Sequence, residues 1–192
     1  MKSRLQALGS GLALLLGAGV AQAAPVVYEI ENAHTFPKFE VSHNGFSNHT
    51  GIFTKTSGRI TLDREAKTGS MEVTVDTADI STGIAPMEKF LKAKEFFNVE
   101  QFPTMTYKGT RFRFEGDKLV AVEGELTLLG VTRPLTLTVI NFVCGAHPRS
   151  KKEQCGANAV GELKRSDYGM KAFLPLIGDD IKLTIQTEAY KQ

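Results

Sequence analysis

Few side chains in this sequence have the type and spacing that a reaction requires. Cys144 and Cys155 are the two cysteines of the chain, with ten residues between them. The spacing is not Cys-x-x-Cys, which disfavours thiol exchange, and only His147 lies near enough in sequence to add a metal ligand. What remains for the pair is a structural disulfide, if the chain works in an oxidising compartment. His34, His43, His49 and His147 do not share one element at ligand spacing. His43 falls on the apolar face of an alternating segment, where a histidine reads as a hydrogen-bonded core residue. Asp179-Asp180 precedes the last apolar alternation with no third carboxylate near it, so it reads as a solvated turn rather than a cation site. There is no Gly-x-Ser-x-Gly elbow and no His-Glu-x-x-His helix, and the Gly-x-Gly of Gly9 and Gly11 sits in an apolar leader. With no nucleophile placed beside a base, an enzyme is not expected.

That leader supplies the compartment. Lys2 and Arg4 precede an apolar run from Leu12 to Val20, and Ala21-Gln22-Ala23 gives the small-x-small pattern that signal peptidase cuts. Residues 1–23 are therefore expected to be a cleavable signal peptide and residues 24–192 the mature domain, exported to the periplasm. The apolar run is too short for a comfortable bilayer span. The 192-residue chain carries a formal charge of +2, and residues 1–23 hold two basic and no acidic residues, so the mature part is formally neutral. Without a run of Lys and Arg there is no nucleic-acid footprint. In an exported chain Cys144 and Cys155 are expected to bond, which for a loop near this size contributes roughly 2–3 kcal/mol. Gly145, Pro148, Arg149, Ser150, Lys151 and Lys152 then form a solvated excursion clipped at its base.

The elements that must position these residues are strands. Hydrophobic residues make up 42% and charged residues 23%, as in ordinary globular domains, and 12 Phe with no Trp must supply the bulky apolar volume. Phe39, Val41 and His43 alternate with Lys38, Glu40 and Ser42, the period of a half-buried strand. Ile60 and Leu62 lead through Asp63–Gly69 into Met71, Val73 and Val75, a hairpin. The same alternation recurs at Met105/Tyr107, Phe112/Phe114, Leu126/Leu128, Leu135/Leu137/Val139 and Ile181/Leu183/Ile185, with a turn over Gly130–Pro134. Eight or more regularly spaced strands indicate a closed antiparallel barrel or a sandwich. One stretch differs: Pro86 opens a short helix whose Met87, Phe90 and Leu91 share a face, followed by Phe96, Phe97 and Phe102. It is too short to form a layer and reads as a plug over one end. No linker or repeat divides the chain, so one domain is expected.

Several segments together resemble a known family. Val41-Ser42-His43-Asn44-Gly45-Phe46-Ser47, running on to Gly51-Ile52-Phe53, looks like the opening signature of the YceI family of exported lipocalin-like proteins. Phe96-Phe97-Asn98-Val99-Glu100-Gln101-Phe102-Pro103 resembles its second signature, and Gly124–Pro134 is similar to its Gly-Val-Thr-Arg-Pro hairpin. Arg165-Ser166-Asp167-Tyr168-Gly169 and the closing strand from Asp180 to Ala189 match in order and position. The likeness covers nearly all of the mature chain.

The resemblance implies an all-β, lipocalin-like antiparallel barrel of about eight strands with a short helical plug. It also implies a polyisoprenoid or isoprenoid quinone, or a similar amphiphile with a long apolar tail, carried or stored in the bore, with transient membrane contact allowed. The residues expected to line that bore are Phe39, Val41, His43, Phe53, Met71, Val73, Phe90, Phe97, Met105 and Tyr107. Tyr107 has a hydroxyl on an apolar face, to anchor a head group or to satisfy a core hydrogen bond. From the residues alone an eight-stranded barrel can equally be filled by its own side chains. A filled interaction or stress module and a lipid-modifying enzyme therefore stand beside the binding protein, and no metal or resident cofactor is called for.

Overall fold

The computed structural model describes residues 24–192; the expected signal peptide lies outside the described residues. The described residues form eleven strands and one α-helix. These are β1 (Val26–Ile30), β2 (Phe36–His43), β3 (Ser47–Phe53), β4 (Thr56–Asp63), β5 (Thr68–Asp76) and β6 (Ile80–Ser81). The helix α1 (Ala85–Lys92) follows, then β7 (Thr104–Glu115), β8 (Lys118–Leu128), β9 (Val131–Ala146), β10 (Glu153–Lys164) and β11 (Ile177–Lys191). Every pairing is antiparallel, and β1-β4-β5-β7-β8-β9-β10-β11 returns to β1, which closes an eight-stranded barrel.

The ring closes a second time at its upper end. Along one edge β11 pairs with β10 from Asp180 to Tyr190. Along its other edge it pairs first with β2, from Ile177 to Gln186, and then with β1, from Ala189 to Lys191. Strands β1 and β2 are thus one strand broken by the turn Asn32–His34, and β3 and β4 are broken opposite them at Thr54 and Lys55. Above the break the circuit runs β11-β2-β3-β6, with β6 continuing β5. Side chains and corner amides bridge the seam. Thr35, 2% exposed, uses its hydroxyl to bond both the amide and the carbonyl of Glu188 at 3.2 and 3.3 Å. The Asn32 carboxamide oxygen accepts from the Thr56 amide at 2.6 Å, and the Thr54 amide donates to Asp79 at 3.1 Å. Backbone groups that the broken ladder leaves unpaired are satisfied in this way.

Three turns differ from the sequence reading. The expected turn over Gly130–Pro134 is only Leu129-Gly130, both at positive φ (52° and 74°), the conformation of a two-residue hairpin. Pro134 lies inside β9 opposite Glu125. A proline lacks the N–H of a ladder, but β10 joins β9 only from Thr138 onward, so Pro134 sits where that edge is free. Asp179-Asp180 belongs to β11 at an irregularity between Ile177 and Ile181, and Asp179 accepts from the amide and hydroxyl of Ser166 at 2.9 and 2.8 Å. The excursion after Cys144 is shorter than expected, because β9 and β10 run on to Ala146 and Glu153. Cys144 and Cys155 oppose each other in register and are disulfide-bonded.

The two ends are built differently. At the lower end the Tyr28 hydroxyl, on a residue 2% exposed, donates to Glu153 at 2.7 Å, and Lys191 holds the other oxygen of that carboxylate at 3.1 Å. At the upper end Arg165, also 2% exposed, donates to four backbone carbonyls: Gly178 at 2.8 Å and Met170, Ala172 and Ile177 at 2.9 Å. A planar fork is the side chain suited to gathering several acceptors at once, and it fixes the loop from Met170 to Leu176.

Arg165→Met leaves those carbonyls without their donor, and Arg165→Lys cannot reproduce the fork. Each is expected to cost about 3 kcal/mol or more, read as a lowered urea midpoint at unchanged slope; a loss under about 1 kcal/mol would deny the clamp its role. Burial, then the hydrogen bond to Glu153, pushes the Tyr28 hydroxyl up from 10.0 to about 12. The unfolded chain releases this proton first, so the stabilisation is complete below pH 10 and is lost as pH rises toward about 12. Tyr28→Phe is expected to flatten the alkaline fall of the melting temperature over that window.

Candidate functional site: an apolar bore with an upper chamber

Strands alternate their side chains, so a closed ring sends every second residue inward. The inward set encloses a cavity of about 180 Å³ whose surface is almost wholly apolar. A single water needs roughly 10–15 Å³ measured in this way, so the space is about a dozen times that minimum, and an apolar cavity does not hold water well. Phe39, Phe53, Met71, Val73, Phe97, Met105 and Tyr107 line it. Outward parity is equally clear in two cases: Glu72 pairs with Lys108 at 3.2 Å and Glu40 accepts from Asn48 at 2.8 Å. Thr106, between Met105 and Tyr107 on β7, also contributes to the lining.

Local sequence explains the ring positions. Gly51 faces Phe39 across β2 and β3, and a Cβ built on it would stand 2.3 Å from the Phe39 ring. The glycine lets that ring lie across the neighbouring strand at the top of the bore. Phe97 then packs edge-on to Phe53 with centroids 5.4 Å apart and lies 6.1 Å from Phe39, a favourable aromatic geometry. The plug is this buried Phe97 rather than the helix itself. Lower down, the Tyr107 hydroxyl sits between the carbonyls of Val122 and Leu135 at 3.0 and 3.1 Å. Burial, with a minor push from Glu123, raises its pKa. This hydroxyl serves the core and does not present a donor to the bore.

Val41, His43 and Phe90 lie past Phe39 in a second chamber of about 140 Å³, between the β2–β3 ribbon and α1. Phe39 borders both spaces. His43 stacks on His49 with ring centroids 4.4 Å apart, at the half-exposed wall of the chamber rather than in the core. The Phe39 ring, lying over Gly51, and the residues of α1 divide one run of inward residues into two compartments.

Much of the lining was not singled out from the sequence. Leu126, Leu128, Leu135 and Leu137 complete the bore from β8 and β9, with Phe112 from β7 and Leu183 and Ile185 from β11. Their alternation was visible, and extending the parity of Met71 and Met105 around the ring finds them. Tyr28, Leu62 and Phe142 carry the lining to the lower end. Among the buried side-chain polar atoms of the described residues, the Thr56 hydroxyl has no hydrogen-bond partner, and Thr56 lies on the bore wall.

Comparisons with known proteins agree with this geometry. The family model of the YceI-like domain matches residues 28–189. Protein YceI of Salmonella arizonae is 34% identical over 194 residues, covering 100% of each chain. The crystal structure of the Campylobacter jejuni YCEI protein is 26% identical, with a TM-score of 0.65 over 79% of this chain and 90% of that one. A polyisoprenoid binding domain from Saccharophagus degradans, 17% identical, shares the fold with a TM-score of 0.66 over 87% of this chain and 99% of its own. A match through nearly the whole described barrel, and a full-length relative at one-third identity, show that the chain belongs to the YceI family.

Proposed function

We propose that this protein binds an amphiphile with a long, slender apolar tail inside the barrel, and that it carries or stores that lipid after export to the periplasm. The observation that carries the reading is the bore itself: a ring of eight strands surrounds an apolar cavity instead of a filled core. Of the two tyrosine hydroxyls on its wall, that of Tyr107 serves the backbone and that of Tyr28 is held by Glu153. That favours binding over catalysis, which needs groups free to move a proton. The apolar lining suits the tail of a polyisoprenoid, including an isoprenoid quinone. Each buried CH₂ contributes about 0.8 kcal/mol, enough over many prenyl units to exceed the cost of ordering the tail. The structural neighbour from Saccharophagus degradans, described as a polyisoprenoid binding domain, supports the same ligand class. The leader at residues 1–23 and the Cys144–Cys155 bridge are consistent with an oxidising compartment.

Mass spectrometry of an organic extract from natively purified protein is expected to release a prenyl lipid in near-stoichiometric amount. Val73 faces the bore and Thr74, one residue on, faces away. Val73→Glu places a charge in the apolar wall and is expected to abolish retention, whereas Thr74→Glu keeps it. Tyr107→Phe is expected to keep the lipid while lowering stability by about 1 kcal/mol. Equal retention by folded Val73→Glu and Thr74→Glu would move the site out of the bore. Export predicts that the periplasmic protein has the intact mass of a chain beginning at Ala24; retention of Met1 would contradict it.

A further inference from the structure

A carrier of an insoluble lipid must exchange it with a membrane, and the two ends of the barrel differ sharply in what they offer one. The lower end opens on a space of about 520 Å³ whose wall is half apolar, with Val26, Leu62 and Phe142 among its residues, and half charged, with Asp63, Glu65, Asp117 and Glu153 facing Arg64 and Lys191. The upper end carries six of the nine exposed large apolar side chains among the described residues: Phe46, Ile84, Phe90, Phe173, Leu174 and Leu176. Phe46 is 93% exposed, directly after the positive-φ turn Asn44-Gly45 that joins β2 to β3.

These side chains form one rim. The Asn44 amide donates to the Leu176 carbonyl at 2.7 Å, which ties the hairpin tip to the loop from Met170 to Leu176. Phe173 lies 5.7 Å from Phe90 on α1, between ring centroids, and 6.1 Å from Phe96. The loop is not loose, because the buried Arg165 grips it from beneath through the carbonyls of Met170, Ala172 and Ile177. Phe90 and Phe173 pack on each other yet stay about half exposed, Phe46 and Leu176 stand farther out, and exposed apolar patches of this kind mark contact surfaces.

Charge selects the partner. Lys89, Lys92 and Lys94 lie on α1 and its exit and Lys171 starts the loop, and none of the four is in an ion pair among the described residues. The neighbouring Glu88 accepts from the Ser81 hydroxyl and the Thr82 and Gly83 amides and its charge lies near Lys92, so Glu88 and Glu95 offset only part of the charge of the four lysines. Apolar side chains set among lysines suit the interface of an anionic bilayer. We propose that the upper rim of the barrel docks on anionic phospholipid, so that the bore loads and unloads through the chamber beneath α1. The proposal rests on the reading of the barrel as a lipid carrier.

The test is flotation with vesicles free of prenyl lipid, either phosphatidylethanolamine with phosphatidylglycerol or phosphatidylcholine alone. The wild type is expected to float with the anionic vesicles and much less with phosphatidylcholine. The double variant Phe46→Ser/Leu176→Ser is expected to melt like the wild type and lose about tenfold or more in binding. Ile140→Ser/Val143→Ser removes equally exposed residues from the outer face of β9 and is expected to change nothing. A wild type that stays at the bottom of the gradient overturns docking, as does a Phe46→Ser/Leu176→Ser protein that floats unchanged. A concentration-dependent dimer in sedimentation, abolished by the same variant and unaccompanied by flotation, assigns the rim to a second copy and likewise overturns it. Failure of the carrier reading is distinguishable: a protein that yields no lipid on extraction yet floats keeps the docking surface and loses the cargo.

Discussion

The barrel depends on how β11 divides one edge between β2 and β1 while its other edge stays paired to β10 throughout. An antiparallel sheet with a free edge exposes a row of unpaired amides and carbonyls. Here the chain closes that edge in two registers, one above the other, and spends Asn32, Thr35 and Thr54 on the seam between them. The lower closure gives a regular ring of eight strands. The upper closure places β2 and β3 beside α1, and the chamber above Phe39 lies between them. Both compartments are thus consequences of one broken strand.

Closure also leaves the interior short of atoms. Empty apolar volume costs roughly 24 cal/mol per Å³, so a cavity of about 180 Å³ forfeits on the order of 4 kcal/mol, a large share of a domain's stability. The fold offsets this without filling the hole. A cross-strand disulfide joins β9 to β10 near the lower end, Arg165 secures the upper loop, and β11 pairs along most of its length on both edges. Each of these lies on the wall or at the ends, which leaves the bore an almost wholly apolar surface. An occupant that removes the void recovers contacts that the empty barrel lacks, and so binds and stabilises through the same surface.

Much of this was legible in the sequence because period-two alternation encodes both strand and parity. The pairs Met71/Val73 and Met105/Tyr107 were assigned to the interior correctly on that basis, and the hairpins they belong to follow. What escaped depends on long-range partners. Pro134 reads as a turn residue until the late start of β10 pairing is known. Val41 and His43 continue the parity of Phe39, and only the position of α1 places them in another compartment. Arg165 stands in a stretch that the family resemblance picked out, yet nothing local says that its guanidinium will be buried among carbonyls up to thirteen residues away. Tyr107 was ambiguous between anchor and core, and the carbonyls that resolve it come from β8 and β9.

The polarity of the two ends follows from the same topology. At the lower end the connections are tight: Asp63 caps its own turn by accepting from the Ala66 amide at 2.8 Å, and only Gly116, at positive φ, and Asp117 separate the end of β7 from the start of β8. Short hairpins bring charged turn residues together around Tyr28 and Glu153, and any apolar tail leaving there would meet ionised groups. At the upper end the chain makes its long connections, from β6 through α1 to β7 and from β10 to β11. Only such connections are long enough to lay Phe97 across the bore and to raise Phe173 and Leu176 outside it. Although the β2–β3 hairpin also turns at the upper end, the cover there is held by side-chain packing and hydrogen bonds rather than by sheet ladders. Local opening is cheapest where few ladders must break, so the end that bears the exposed apolar rim is also the end that the fold can open.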